Sequence, residues 1–188
     1  MQLSRLLRSE DARQALDLTL RLTQRSVSSE FKGTTLGRLW SFINPLATIA
    51  IFALIFGVVF RGGVAPGRNS GIDSFALWIG IGVLSWTFFS SGIMSSMNAL
   101  VSNSGLLTKV YFPRQVLIYS AVLSLAVDFA FELLVLIIIA MIMGGPGVLL
   151  MIPALLVVTL LAGMFAVGLG LILSIATVYF RDLGHLWQ

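Results

Sequence analysis

The chain has 188 residues, of which 57% are hydrophobic and only 11% are charged, and its mean hydropathy is +0.98. Soluble domains are about half apolar and about a quarter charged, so this composition excludes an ordinary soluble protein as well as a disordered chain. The absence of cysteine and the single histidine exclude disulfides, thiolate metal sites and multi-histidine clusters within one chain. A net charge of +4 fits the charge bias of membrane-protein loops better than nucleic-acid binding.

The N-terminal segment, residues 1–41, is polar and charged. Leucines and alanines recur in it at helical spacing, and Ser9-Glu10-Asp11 is typical of a helix start. We therefore predict a cytoplasmic amphipathic helix over about 10–27 that lies along the membrane surface. Residues 17–22 alternate like a strand, but a lone strand has no sheet to join, so the helix is preferred.

The transmembrane domain is predicted to occupy residues 42–188. A bilayer core of about 30 Å needs roughly 20 helical residues, and its lack of water requires backbone groups to pair within the span. A Gly-Gly-Pro-Gly sequence at 144–147 divides the longest apolar run. The fold class is therefore an all-α polytopic helix bundle with four spans: about 42–60, 75–98, 115–143 and 149–178.

The basic residues predict the orientation of these spans. With a cytoplasmic N-terminus, ten of the 12 lysines and arginines lie on the inner side, and only Arg61 and Arg68 lie outside. Such an excess on the inner side is the usual bias of membrane proteins. The first and last residues of this chain are then both cytoplasmic.

Motifs of common enzymes are missing from the sequence. A P-loop needs glycine directly before its lysine, and neither Lys32 nor Lys109 has one. There is no His-Glu-x-x-His zinc motif and no Gly-x-Ser-x-Gly nucleophile elbow. We predict no catalytic residue, no metal site and no ATP hydrolysis in this chain.

Two carboxylates, Asp128 and Glu132, interrupt the third predicted span. An ionised carboxylate at this depth costs roughly 2.5–3.5 kcal/mol on insertion scales. They share one helix face with Ser120 and Ser124. This polar stripe either bonds to neighbouring helices or lines a hydrated path, and a membrane enzyme using both carboxylates is an alternative. Trp86, an aromatic residue of the second predicted span, is a further candidate for the path.

Three segments together resemble a known family. Residues 31–46 read Phe-Lys-Gly-Thr-Thr-Leu-Gly-Arg-Leu-Trp-Ser-Phe-Ile-Asn-Pro-Leu, and residues 103–114 read Asn-Ser-Gly-Leu-Leu-Thr-Lys-Val-Tyr-Phe-Pro-Arg. Residues 168–183 end in Thr-Val-Tyr-Phe-Arg-Asp-Leu. In this order they resemble the membrane (permease) subunit of type-2 ABC exporters, in the branch that exports O-antigen, teichoic acid and capsular polysaccharide.

The resemblance implies a homodimer in the bacterial cytoplasmic (inner) membrane that works with a separate ATPase subunit. That partner would bind ATP and Mg, and the substrate would be a lipid-linked polysaccharide. Export of a drug or a small lipid by the same family is the alternative. The family looks to have six spans, so we expect this four-span chain to be C-terminally truncated.

The resemblance also implies roles for individual residues. Loop 101–114 would be the coupling segment that contacts the ATPase, through Leu106, Leu107, Lys109, Val110, Tyr111, Phe112, Pro113 and Arg114. An interface motif would lead the surface helix into the first span, through Phe31, Lys32, Gly33, Leu36, Gly37, Trp40 and Pro45. Arg181 and Asp182 would form a cytoplasmic gate, where the arginine could meet a diphosphate. With a polysaccharide as the substrate, Asp128 and Glu132 would accept hydrogen bonds from sugar hydroxyls, and Trp86 could stack on a sugar ring.

Overall fold

The computed structural model describes residues 2–30, 32–59, 72, 74–107, 113–180 and 182–187. Within these ranges the chain forms helices and no strand. The α-helices are α1 Gln2–Glu30, α2 Trp40–Phe52, α3 Phe75–Ser102, α4 Ser104–Leu107, α5 Gln115–Gly144, α6 Ile152–Tyr179 and α7 Leu183–Trp187. Short 3-10 segments, Gly37–Leu39 and Pro146–Met151, precede α2 and α6, and a π-helix, Ala53–Val59, continues α2.

Three helical segments among the described residues are long and apolar enough to cross a membrane. They are Leu77–Ser102, Gln115–Gly144 and Pro146–Tyr179, and a shorter apolar helix covers Trp40–Phe56. The predicted class, an all-helical polytopic membrane bundle, is confirmed. The first predicted span corresponds to the shorter helix and its π-helical continuation, and residue 60 lies outside the described part.

Helix α1 differs from its prediction in two respects. It is longer, Gln2–Glu30 instead of about 10–27, and it stays helical through the alternating residues 17–22. Its apolar and polar residues are also poorly separated around the helix axis. Leu16 and Leu20 lie on an exposed face, whereas the polar residue Thr23 is buried together with Val27. The buried threonine is tolerated because its hydroxyl donates to the carbonyl oxygen of Thr19, one turn back, at 2.9 Å.

The chain forms two compact units, and α3, α5 and α6 each contribute residues to both units. Unit 1 contains Met1–Glu30, Phe89–Ala126 and Gly163–Gln188. Unit 2 contains Phe31–Phe88 and Val127–Ala162.

Two apolar clusters form the interior of unit 1. Ile93, Met97 and Ala166 pack α3 against α6, and partly buried side chains of α7 join them. The second cluster is centred on Ala99, Leu117 and Ile118, and it also receives Leu22 of α1 and Leu106 of α4. Because these clusters include residues from several helices, they hold α1 and the α3–α5 connection against the spans.

Aromatic rings provide much of the packing in unit 2. Phe88 of α3 stacks on Phe129 of α5 with ring centroids 4.6 Å apart. Phe42 of α2 meets Phe131 of α5 edge to face at 5.6 Å. Such ring pairs add about 0.5–1.5 kcal/mol beyond the area they bury. Pro45 of α2 is fully buried in this unit.

The outer surface of α6 is apolar and exposed over most of its length. Large side chains on it with exposed fractions above one half include Leu156, Val157, Val158, Leu160, Leu161, Met164 and Phe165. An exposed apolar surface of this size is unfavourable in water and suits the hydrocarbon of a bilayer.

Gly170 permits the close approach of α6 to α3 in unit 1. A Cβ atom at this position would overlap the Cβ of Ser96 and would lie 2.7 Å from its Oγ. We expect Gly170→Ala to destabilise the protein by about 1–3 kcal/mol, the usual cost of overpacking. Thermal unfolding of the detergent-purified protein measures the effect.

Gly168 of the same helix is the matched control. A Cβ there would meet no atom within 4 Å, so Gly168→Ala should leave stability unchanged or raise it slightly. Equal unfolding temperatures for the two variants would contradict the packing described here.

Candidate functional site

A polar cavity of about 340 Å³ lies within unit 1, where α1, the last turns of α3 and the first turns of α5 meet. Its apolar lining is small and comes from Leu22, Ala99, Leu117 and Ala121. Its polar lining consists of Arg25, Ser26, Ser29, Ser95, Ser102, Asn103, Ser120 and Ser124.

Several serine hydroxyls in the cavity donate their hydrogen atoms to their own helices. Ser120 donates to the carbonyl oxygen of Leu117 at 3.0 Å, and Ser124 donates to that of Ala121 at 2.9 Å. Ser102 donates to Asn98 in the same manner at 2.8 Å. Each of these three oxygens keeps its lone pairs while its hydrogen is already used, so these hydroxyls can accept hydrogen bonds from a ligand.

The predicted coupling loop begins next to this cavity. Helix α4 is a single turn, closed by the amide of Leu106 donating to the carbonyl oxygen of Asn103 at 2.9 Å. Leu106 is partly buried against the cluster of Ala99, Leu117 and Ile118, so it packs inward. Its contact with an ATPase subunit stays a prediction.

Only some of the remaining predicted coupling residues belong to the described part of the chain. The backbone of Leu107 ends α4, and Lys109, Val110, Tyr111 and Phe112 lie outside the described residues. Pro113 and Arg114 are exposed at the start of α5, and their carbonyl oxygens accept bonds from the amides of Val116 and Leu117.

The predicted interface motif belongs to unit 2. Phe31 lies outside the described residues, Lys32 and Leu36 are exposed, and Trp40 begins α2 with 37% of its surface exposed. Gly33 and Gly37 have φ angles of +87° and +52°, which favour glycine and turn the chain into α2. Pro45 is fully buried, so its role within the described chain is packing.

The predicted substrate-path residues are divided between the two units. Ser124 belongs to unit 1 and lines the polar cavity, whereas Asp128, Glu132 and Trp86 belong to unit 2. Both carboxylates are partly buried on α5. Trp86 is 64% exposed and shares an apolar cleft on α3 with Trp78.

The predicted gate lies at the end of α6. Arg181 lies outside the described residues, and Asp182 is exposed. Behind the gate residues, α7 packs back onto α3. The indole N–H of Trp187 donates to the hydroxyl and the carbonyl oxygen of Ser90, at 3.1 and 3.3 Å.

Metal ligation finds no support among the described residues. No group of three or more histidine, cysteine, aspartate or glutamate side chains comes together in that part of the chain.

Comparison with known proteins decides the family. A family model described as "ABC-2 type transporter" matches residues 17–188, which is nearly the whole chain. The chain belongs to the ABC-2 type transporter family. That family consists of transporters, so the alternative of a membrane enzyme using Asp128 and Glu132 loses its support.

Three proteins that resemble this ABC-2 chain share the same descriptive name. The O-antigen export system permease protein RfbA of Myxococcus xanthus is 32% identical over 171 residues, covering 90% of this chain and 62% of that protein. Two proteins of the same name from Klebsiella pneumoniae are each 26% identical over 167 residues, covering 89% of this chain and 61% of each relative. The chain therefore spans about three fifths of the length of these relatives.

The sequence analysis did not identify the polar cavity of this ABC-2 chain. Its signal was present as serines at helical spacing: Ser26 and Ser29 on α1, Ser95 and Ser102 on α3, and the stripe on α5. The α5 serines were assigned to the face of Asp128 and Glu132, because a single helix shows its own faces but not which neighbour covers them.

The cluster around Leu117 should hold α1 in place. Leu117 is 3% exposed, so Leu117→Ala should cost about 2–5 kcal/mol and loosen α1. The chain has no cysteine, so Thr23→Cys, buried on α1, gives a single labelling site. We expect its maleimide labelling to become at least about tenfold faster when Leu117→Ala is added.

Leu134→Ala is the control for this experiment, since Leu134 is a leucine of the same helix with 47% of its surface exposed. It should leave the labelling rate of Thr23→Cys unchanged. If both leucine variants accelerate labelling equally, the cluster does not hold α1.

Proposed function

We propose that this chain belongs to the membrane subunit of an ATP-driven exporter that moves a lipid-linked polysaccharide of the O-antigen type. The observation that supports this most strongly is the family match over residues 17–188 together with relatives named as O-antigen export permeases. Those names favour O-antigen over the teichoic acid, capsule, drug or small-lipid cargoes of other family members.

The proposed location is the bacterial inner membrane, with a cytoplasmic N-terminus. The three long apolar segments and the shorter one support a multi-pass protein. The orientation rests on the basic residues, ten of which lie on one side in this topology.

The proposed partner is a separate ATPase subunit that binds ATP and Mg. Its contact surface would consist of the exposed part of loop 101–114 together with α1. Leu106 contributes by packing the loop onto α5 and α1, since it joins the cluster of Leu117 and Leu22. A displacement of the loop by the ATPase would then be transmitted to α1, α3 and α5 through these apolar contacts.

Charge reversal at Lys109 tests this coupling role. We expect Lys109→Glu to reduce co-purification of the ATPase and to abolish stimulation of its ATP hydrolysis by lipid-linked glycan, while the chain still reaches the membrane. Arg68→Glu, a charge reversal on the loop predicted to lie outside, should change neither property. Unchanged co-purification and stimulation in Lys109→Glu would show that the loop does not couple.

The proposed path for the glycan includes the α5 carboxylates, in a homodimer of this subunit. Asp128 and Glu132 interrupt an otherwise uncharged helix, and carboxylates accept hydrogen bonds from sugar hydroxyls. Arg181 and Asp182 would meet the diphosphate of the lipid anchor at the cytoplasmic side.

Neutralising both carboxylates separates a transport role from a structural one. We expect Asp128→Asn with Glu132→Gln to keep the amount of membrane-inserted protein and its bound ATPase, and to lower export of the glycan at least about tenfold. Surface glycan and membrane protein are both quantified by immunoblot. Lost membrane insertion or lost ATPase binding would instead assign the pair to structure.

A further inference from the structure

We propose that the polar cavity of unit 1 binds a lipid headgroup that combines a phosphate with several hydrogen-bond donors. Two sources have this chemistry: an aminophospholipid of the membrane, and the sugar diphosphate of a lipid-linked glycan. Only the second source rests on the function proposed above.

The depth of the cavity in the helices fits a headgroup. Ser95 lies seven residues before the end of α3, and Ser124 lies nine residues after the start of α5. At 1.5 Å per residue the cavity reaches about 10–13 Å inward from the helix ends. The 28 and 30 residues of α3 and α5 correspond to about 42–45 Å, which matches a bilayer with both headgroup layers, so helix ends placed in a headgroup layer open the cavity to the headgroups.

The hydrogen-bonding character of the lining determines the class of ligand. The hydroxyls of Ser29, Ser102, Ser120 and Ser124 all donate to backbone carbonyl oxygens of their own helices. The side-chain amide of Asn103 donates to the carbonyl oxygen of Ala99 and to the Oγ of Ser102. What these groups still offer is acceptor lone pairs, which suit an ammonium group or sugar hydroxyls.

Arg25 supplies the complementary charge. It is exposed on α1 and contributes to the lining, and no acidic side chain is among the lining residues that the structure describes. A guanidinium binds phosphate oxygens through two parallel hydrogen bonds. The phosphate is therefore placed at Arg25, and the donor groups of the ligand are placed toward Ser120 and Ser124.

The volume of the cavity limits what it can hold. At about 340 Å³ it lies at the lower end of the range for small-molecule sites, about 300–1,000 Å³. This is room for a headgroup, while the acyl or prenyl chains would stay in the membrane.

Native mass spectrometry of the detergent-purified chain tests the proposal with three lipids. The probes are phosphatidylethanolamine, phosphatidylcholine with the same acyl chains, and a polyprenyl diphosphate carrying one sugar. Phosphatidylcholine keeps the phosphate but has no N–H donor. We expect phosphatidylethanolamine or the sugar lipid to bind about tenfold more tightly than phosphatidylcholine, and the preferred lipid identifies the source.

Two variants of the cavity lining test whether the lipid preference arises in this cavity. Ser120→Ala with Ser124→Ala removes deep acceptors, and Arg25→Gln removes the charge from an exposed position where it cannot disturb the core. Both should lower the affinity for the preferred lipid about tenfold. Their controls are Ser174→Ala, a buried α6 serine with the same bond to its own helix, and Arg13→Gln, an exposed arginine of α1.

Equal binding of all three lipids would overturn the proposal, as would a preference that survives in Arg25→Gln and in the double serine variant. Circular dichroism of each variant shows whether its helices are intact, and Arg25→Gln decides the outcome if the serine variant loses them. Lipid binding is measured without ATPase and without export, so its failure is separate from a failure of the proposed function.

Discussion

The structure depends on one constraint: a polar group inside a membrane helix must find its hydrogen-bond partner within the protein. Buried serines and threonines meet it by donating to a carbonyl oxygen three or four residues earlier. Ser96, Ser174 and Thr177 are fully or almost fully buried, and each makes such a bond, at 2.7, 3.0 and 2.8 Å. Because their polarity is satisfied locally, small hydroxyl residues can lie where two helices meet closely, as Ser96 does against Gly170.

The same constraint accounts for the character of unit 1. Thr23 donates to its own helix and also reaches the carbonyl oxygen of Ser120 at 3.5 Å, so α1 meets α5 through a polar contact beside the apolar cluster of Leu117. Where the hydroxyls do not meet another helix, they surround a cavity with acceptor oxygens. Helix α1, the adjoining ends of α3 and α5 and the turn α4 are thus held together by these contacts.

Carboxylates are the exception to this local solution. Asp128 and Glu132 cannot donate to a backbone carbonyl when ionised, and a carboxylate needs donors from elsewhere. Their place on α5 therefore requires another helix, water or a ligand. This requirement distinguishes them physically from the serines that share their face in the sequence, and it makes them the stronger candidates for a hydrated path.

The sequence alone determined the class of the protein and its helical segments, because hydropathy and helix breakers act locally: the apolar runs became α3, α5 and α6, and Pro146 lies at the break between the last two. Three segments also sufficed to suggest the transporter family. Only the tertiary structure decided which faces meet. Thr23 and Ser120 are 97 residues apart, as are Ser90 and Trp187, and no local pattern encodes such pairings. For this reason the serine-lined cavity, the burial of Thr23 on α1, the packing of Leu106 against its cluster and the return of α7 onto α3 emerged only once the helices were packed together.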